Sequence, residues 1–273
     1  MAALAAAAMM AAATPRAAAR HALPPRTGFA FYDVDRLYDT LPSPFYDDTD
    51  FTPQGRMHWN TERYRGKIRR TAAVIDSMAL PLVALYGVEN EQVVRDLAAA
   101  CRGDYSYLHC TLNTLDGLDF ALLYYGDRFF PHRTEPGDRT LYVEGTLGRD
   151  TVGLLLVRDR RMLPWIIGEL REERPQVRLL VAGSVVPRDA ARWGLINTTA
   201  RAEAAGRGTM RSGGRWIMRD RIFADPRLEA AQGDVYARRW LVDPATGEPL
   251  RTLDRLRYRA GYGASLPVFV YIR

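Results

Sequence analysis

The stretch Phe51–Ile75, "FTPQGRMHWNTERYRGKIRRTAAVI", opens as a loop and closes as a helix. Pro53 and Gly55 break any regular pattern. The preceding "PFYDDTD" adds acids, so the whole of 44–59 reads as an acidic solvated loop whose aspartates lack the spacing of a calcium-binding loop. From Asn60 the pattern changes. Asn60 or Thr61 can cap a helix, Glu62 places negative charge in its first turn, and Tyr64, Ile68, Ala72 and Ile75 share one face. An apolar run follows, "LPLVALYGV" at 80–88, and an apolar run precedes the loop, "GFAFYDVDRLYD" at 28–39. Both read as strands, so the chain opens strand, long acidic loop, helix, strand.

The same rhythm continues downstream. "NEQVVRDLAAACR" (90–102) predicts a capped helix, and "YSYLHCTL", "LDFALLYY" and "TVGLLLVRD" predict strands. "RMLPWIIGELREER" (161–174) predicts a helix with proline in its first turns. "VRLLVAGSVV" reads as a strand and "RDAARWGLI" as a short helix, and "RWIMRDRIFAD" and "SLPVFVYIR" close the chain. Helices alternate with strands, and several strand signals stand side by side late on. That pattern predicts an α/β sandwich with mixed sheets rather than a doubly wound parallel sheet.

The composition bounds the function classes. The chain has 273 residues, 47% of them hydrophobic, enough for one large α/β domain or two small ones. No run of strongly apolar residues is long enough to span a membrane. The net charge is +6, but residues 1–26 hold Arg16, Arg20 and Arg26 and no acid, which leaves +3 for the rest and a weak case for nucleic-acid binding. Lys67 is the one lysine, a bias toward arginine that fits GC-rich coding beside so much alanine. Residues 1–26 are low-complexity and Ala-rich; they read as an export signal lacking the usual basic start, as a disordered extension, or as the product of an upstream start codon. The compartment stays open between export and cytoplasm. Residues 27–273 form the expected folded domain. Cys101 and Cys110 match no zinc spacing and read as two buried thiols, with a single disulfide as the other reading. His21, His58, His109 and His132 form no HExxH or His-x-His pair. No phosphate loop, dinucleotide fingerprint or hydrolase elbow occurs. "GRGTMRSGGRW" (206–216) reads as a flexible surface loop that could touch an anion.

Taken in order, five blocks resemble the endonuclease/exonuclease/phosphatase (DNase I-like) superfamily over about 28–273. The family's first strand resembles "FNVENLFDT", here "FYDVDRLYDT" (31–40), and its loop and helix resemble "FTPEGxxxWTxERYxxKLxxIAxVI", here the opening stretch. "LQEVEN" is matched by "LYGVEN" (85–90), "GIDVALLY" by "GLDFALLY" (117–124) and "GYSDHLPV" by "GYGASLPV" (261–268). The resemblance implies a four-layered α/β sandwich, two packed mixed β-sheets flanked by helices. It also implies a Mg²⁺-dependent phosphodiesterase site.

At that site the chain departs from the family. Gly87 stands where the principal metal-binding glutamate belongs, Ser184 and Val186 replace the aspartate and asparagine of "GDFN", and Ala264-Ser265 replace the terminal Asp-His pair. Arg158 or Asp159 falls where a further histidine is expected, and Asp33 takes the place of the first asparagine. Asp35, Asp119 and Asp220 match family acids, the last without a histidine to orient. Losing the metal ligand, the water-positioning pair and the histidine together predicts a degenerate, inactive homologue without a cofactor, since one missing acid or base alone costs about 10²–10⁴ in rate. Such a chain would serve as a binding or scaffolding module for a phosphate-containing ligand or a protein partner, with Arg158 and Arg215 near the cleft. The competing reading is an active Mg²⁺ enzyme whose metal site is rebuilt from Asp33, Asp35, Glu89 and Asp119; Glu89 lies two residues beyond the lost ligand and so on the same face of a strand.

Overall fold

The computed structural model describes residues 28–272 other than 113, 231, 255 and 256. The readings of residues 1–26 as an export signal or extension lie outside the described residues. In chain order the strands are β1 (Gly28–Leu37), β2 (Leu82–Val88), β3 (Ser106–Cys110), β4 (Asp119–Tyr124), β5 (Phe129–Gly137), β6 (Thr140–Leu147), β7 (Asp150–Val157), β8 (Arg178–Gly183), β9 (Ile196–Asn197), β10 (Met210–Ser212), β11 (Arg215–Ile217), β12 (Arg221–Ala224), β13 (Asp234–Val235), β14 (Leu253–Asp254), β15 (Arg257–Tyr258) and β16 (Val268–Tyr271). The helices are α1 (Thr61–Met78), α2 (Glu91–Ala100), α3 (Leu163–Glu173), α4 (Pro187–Arg192) and α5 (Ala200–Ala204).

Two six-stranded sheets carry the fold, ordered β13-β16-β1-β2-β4-β3 and β5-β6-β7-β8-β12-β9. Each is mixed. The β1/β2 and β7/β8 pairs are parallel and the remaining neighbours antiparallel. The period-two alternation of the apolar runs sorts their side chains between layers. On β7, Leu154 and Leu156 join the large core between the sheets, while Leu155 and Val157 join a second cluster with Leu163, Ile167 and Leu170 of α3. On β8, Leu180 and Ala182 face the first core and Leu179 and Val181 the second. Helices α1 and α2 cover the outer face of the first sheet, contacting β1 and β3. The layers therefore run α1/α2, sheet, sheet, α3, the four-layered sandwich expected.

The deciding stretch folds as its sequence predicts. Asn60 is the cap: its side chain accepts a hydrogen bond from the Arg63 backbone N–H at 3.0 Å, a contact worth about 1 kcal/mol. The acidic loop is tied down from within. Asp47 accepts from Thr49, Asp48 accepts from the Ser43 N–H, and Asp50 takes a bidentate bond from Arg56 at 2.7 and 2.6 Å. Trp59 is fully buried and donates its indole N–H to the Tyr38 carbonyl at 2.9 Å. The hairpin β5–β6 is an element the sequence reading did not predict. Cys101 and Cys110 are free and only half-buried, so the disulfide reading is not met and the thiols are less buried than expected. Among the described residues no helix is long and apolar enough to cross a membrane.

Candidate functional site

The ends of the two sheets meet along one edge of the sandwich. Asp33 and Gly87 stand near the C-terminal ends of the parallel strands β1 and β2, and Arg158 and Ser184 follow the parallel strands β7 and β8. Arg219 and Asp220 lead into β12, which runs antiparallel to β8, so they reach the same edge. The loop 263–265 leads into β16, antiparallel to β1, and its Ala264 N–H donates to the Asp33 carbonyl at 3.0 Å. Two sheets and six chain segments thus place Asp33, Gly87, Arg158, Ser184, Asp220 and Ser265 around one cleft.

A guanidinium fills the centre of that cleft. The Arg219 Nη2 donates to Asp33 Oδ2 at 2.6 Å and to Ser265 Oγ at 3.1 Å, and its Nε donates to Asp220 Oδ2 at 3.1 Å. Ser265 Oγ donates in turn to Asp220 Oδ2 at 2.9 Å. A second cation, Arg158, brings Nη1 to 3.4 Å from Asp33 Oδ2 and lies over the Tyr86 ring at 4.7 Å. Burial works against the charge on Arg219, yet Asp220 and Asp33 together hold it above the ordinary arginine value. Asp33 and Asp220 are almost fully buried, and two carboxylates face two guanidiniums, so the cluster is electrically balanced. The Asp220 Oδ1 atom is buried without a hydrogen-bond partner.

The other acids expected at the site are turned elsewhere. The β1/β2 register shifts between Asp33 and Leu37, where Asp35 and Arg36 both adopt left-handed backbone (φ 61° and 57°). This turn sends the Asp35 carboxylate to the Leu253 N–H at 3.1 Å. Beside it Lys67, fully buried, donates to Thr252 Oγ1 and to the Tyr262 carbonyl at 2.7 Å. Burial lowers its pKa to about 7, with Asp35 opposing in part. Asp119 accepts from the Leu112 N–H at 2.9 Å. His109 Nε2 lies 3.2 Å from Asp119 Oδ2 but is misaligned for a hydrogen bond. Glu89 accepts from the Asp39 N–H at 2.5 Å and from the Tyr46 hydroxyl at 2.9 Å, and burial raises its pKa to about 7. Asp33, Asp35, Glu89 and Asp119 therefore do not converge. Among the described residues no group of three or more His, Cys, Asp or Glu could hold a metal ion, and the residues present do not fit a Mg²⁺ centre.

The substituted positions carry their own geometry. Gly87 has φ +90°, and a Cβ there would meet the Arg36 nitrogen at 3.3 Å and Asp33 Oδ1 at 3.5 Å. Ser184 is half-buried and donates its backbone N–H to the Val157 carbonyl; Val186 is half-buried and Ala264 buried. None of these three brings a charge to the cleft. Arg215 lies on the exposed β10–β11 hairpin, so the cation that sequence reading placed there with Arg158 is instead Arg219. Asp220, expected to have no histidine to orient, is held by Ser265 and Arg219. The Arg-Asp adjacency at 219–220 was the one signal for this, and it names no partner by itself.

Residues 28–157 match the model of the Endonuclease/Exonuclease/phosphatase family. Three solved structures illustrate the likeness of fold. An endonuclease/exonuclease/phosphatase family protein from Bacteroides thetaiotaomicron superposes with a TM-score of 0.60 at 12% identity, over 92% of this chain and 98% of that one. The mannosyl-6-phosphatase of the same organism gives 0.57 at 11% identity, over 90% and 99%. D. rerio TDP2 complexed with single strand DNA product gives 0.57 at 13% identity, over 91% and 99%. No functionally curated protein matches the sequence.

Proposed function

With residues 28–157 in the endonuclease/exonuclease/phosphatase family and the whole described chain in its fold, we propose that this protein is a catalytically inactive member, a pseudo-phosphodiesterase that keeps the sandwich as a binding or scaffolding module. One observation carries the reading: the two acids left in the cleft, Asp33 and Asp220, both accept hydrogen bonds from Arg219. A divalent cation at Asp33 would have to displace Arg219 and then sit beside Arg158. Repulsion between a dication and two nearby guanidiniums is on the order of several kcal/mol even at the effective dielectric of a protein surface. The gain from one remaining carboxylate does not offset it, since Mg²⁺ sites rest on one or two free carboxylates plus waters. Ser265 holds the place of the expected histidine and supplies no group that takes up or gives a proton near neutral pH.

What the cleft retains is a surface for recognition. The Arg158 side chain is about a quarter exposed (27%), stacked on Tyr86 and open to solvent on its other side. It offers donors to a phosphate-containing ligand or to an acidic group of a protein partner. The test is an equilibrium titration of the purified chain with inorganic phosphate and with a short phosphodiester, each with and without Mg²⁺. Metal-independent, millimolar or tighter binding that Arg158→Gln weakens supports the reading. Binding that appears only with Mg²⁺ and persists in Arg158→Gln contradicts it.

A further inference from the structure

On the helical layer, away from the edge where the sheets meet, lies a groove of about 300 Å³ lined by Gly66, Arg69, Arg70, Ala73, Trp240 and Tyr262. Helix α1 forms one wall. The short turn Arg239–Leu241 and the segment that leads toward β16 form the other. The lining carries two arginines and two aromatic rings and no acid.

Arg70 is fixed in place. Its Nε donates to the Gly261 carbonyl at 3.1 Å and its Nη2 to the Tyr258 hydroxyl at 2.6 Å. Gly66, one turn earlier, lets the guanidinium lie close to the helix, since a Cβ there would meet Arg70 Nη1 at 3.2 Å. Glycine weakens a helix interior relative to alanine, so its place here has a packing reason. Both acceptors of Arg70 are neutral, and neither Arg69 nor Arg70 meets a carboxylate among the described residues. Arg171, Arg174, Arg219 and Arg221 are also partly or fully buried, and each of them faces one. The Arg70 Nη1 atom has no acceptor among the described residues and is not closed off from solvent. Arg70 also disfavours the charge on the neighbouring Lys67. This stretch of α1 therefore presents positive potential to the groove, and a half-buried guanidinium without a counter-ion favours an anion.

The apolar part of the groove is equally well held. Trp240 stands edge-to-face against Tyr262, with ring centroids 5.0 Å apart at 67°. The Tyr262 carbonyl accepts from the buried Lys67 ammonium at 2.7 Å, which anchors that side. Trp240 still leaves 38% of its surface exposed. Opposite it, Gly66 and Ala73 offer little side chain, so the α1 wall is flat enough for a ring.

We propose that this groove binds an aromatic carboxylate, its ring lying between the Trp240 indole and the Gly66–Ala73 stretch of α1 and its carboxylate on Arg70 Nη1, with Arg69 adding positive charge beside it. The volume is at the lower end of small-molecule sites and suits one or two fused rings bearing a single acid group. The indole supplies an aromatic surface for the ring, and the guanidinium nitrogen supplies two N–H donors for the carboxylate. An aliphatic acid or a neutral ring would make only one of these contacts. Occupancy of the groove does not rest on the reading of the cleft.

Calorimetric titration of the full chain with benzoate, indole-3-acetate and 2-naphthoate tests it, with acetate and 2-naphthamide as controls that lack the ring or the charge. At least one aromatic acid should bind at about 1 mM or tighter, the strength expected of a ligand this small. Each control should bind at least about tenfold more weakly. Trp240→Ala and Arg70→Met should each weaken binding about tenfold or more, the usual size for a lost charge-assisted hydrogen bond or ring contact. Ala73→Gln keeps a good helix former at an exposed position and fills the groove, so it should abolish binding without disturbing the fold. Circular dichroism checks the folding of each variant, and Ala73→Gln and Trp240→Ala decide the matter should Arg70→Met fail to fold. The proposal is overturned if no aromatic acid binds below about 10 mM, if acetate or 2-naphthamide binds as tightly, or if binding survives Ala73→Gln and Trp240→Ala.

Discussion

Arg219 joins the two sheets through three acceptors at once: Asp33 on β1, Ser265 before β16 and Asp220 before β12. Truncating it leaves two almost fully buried carboxylates facing each other without their principal cation. Arg219→Ala should therefore lower stability by about 3–5 kcal/mol, read from urea unfolding. Asp33→Asn combined with Arg219→Met should cost clearly less, because the charge goes with its partner. A loss below about 0.5 kcal/mol for the single variant would show that the network is not formed in solution. Gly87 gives a second prediction. At φ +90° any L side chain is strained, so Gly87→Ala should cost about 1 kcal/mol or more by the same measurement. For that reason Gly87→Glu should not restore a metal site: the backbone has changed with the side chain, and Arg219 still holds Asp33. The missing groups at Gly87, Ser184, Val186, Ala264 and Ser265 could be read directly from the sequence, since each is an identity at one position. What fills their place could not, because Arg219 meets Asp33 across 186 residues and Ser265 across 46. Nothing local marks such pairs.

Helix α1 is the element on which the first sheet's outer layer rests, and it also fastens the segment 252–262. Lys67 and Arg70 reach from α1 to Thr252, Gly261 and Tyr262, and the Asp35 carboxylate holds Leu253 from the β1 side. Lys67 gives this clasp a pH dependence. An unfolded lysine titrates near 10.5, and the folded one near 7, because burial disfavours its charge. Between those values the unfolded chain binds more protons, so this group makes stability rise with pH from about 7 to about 10.5, with a level contribution below. Urea unfolding across that range should show the rise in the native chain and its absence in Lys67→Met; parallel profiles for the two proteins would contradict it. Element type was legible wherever the apolar period was clean, as in α1, β7 and β8. Strand β5 was not, because Pro131 and Pro136 interrupt the strand pattern, and its partner β6 was missed with it. β5 ends its sheet, and edge strands tolerate proline that a central strand would not.

The whole molecule shares the fold of the endonuclease/exonuclease/phosphatase structures it superposes on, while the edge where its sheets meet is closed by arginine. Order of blocks along the chain, through the family resemblance they carry, was enough to foresee two packed mixed sheets. The same reading left a rebuilt metal site open, and only the geometry separates Asp35, Glu89 and Asp119 from Asp33. On the reading proposed above, millimolar Mg²⁺ or Mn²⁺ should leave the thermal midpoint unchanged, whereas a specific site occupied well above its dissociation constant would raise stability by about 2–3 kcal/mol. The most direct test is turnover of bis-p-nitrophenyl phosphate and nicking of plasmid DNA by the purified chain with Mg²⁺ or Mn²⁺. The account predicts rates equal to the protein-free blank. Metal-dependent turnover that disappears in Asp33→Asn would contradict it.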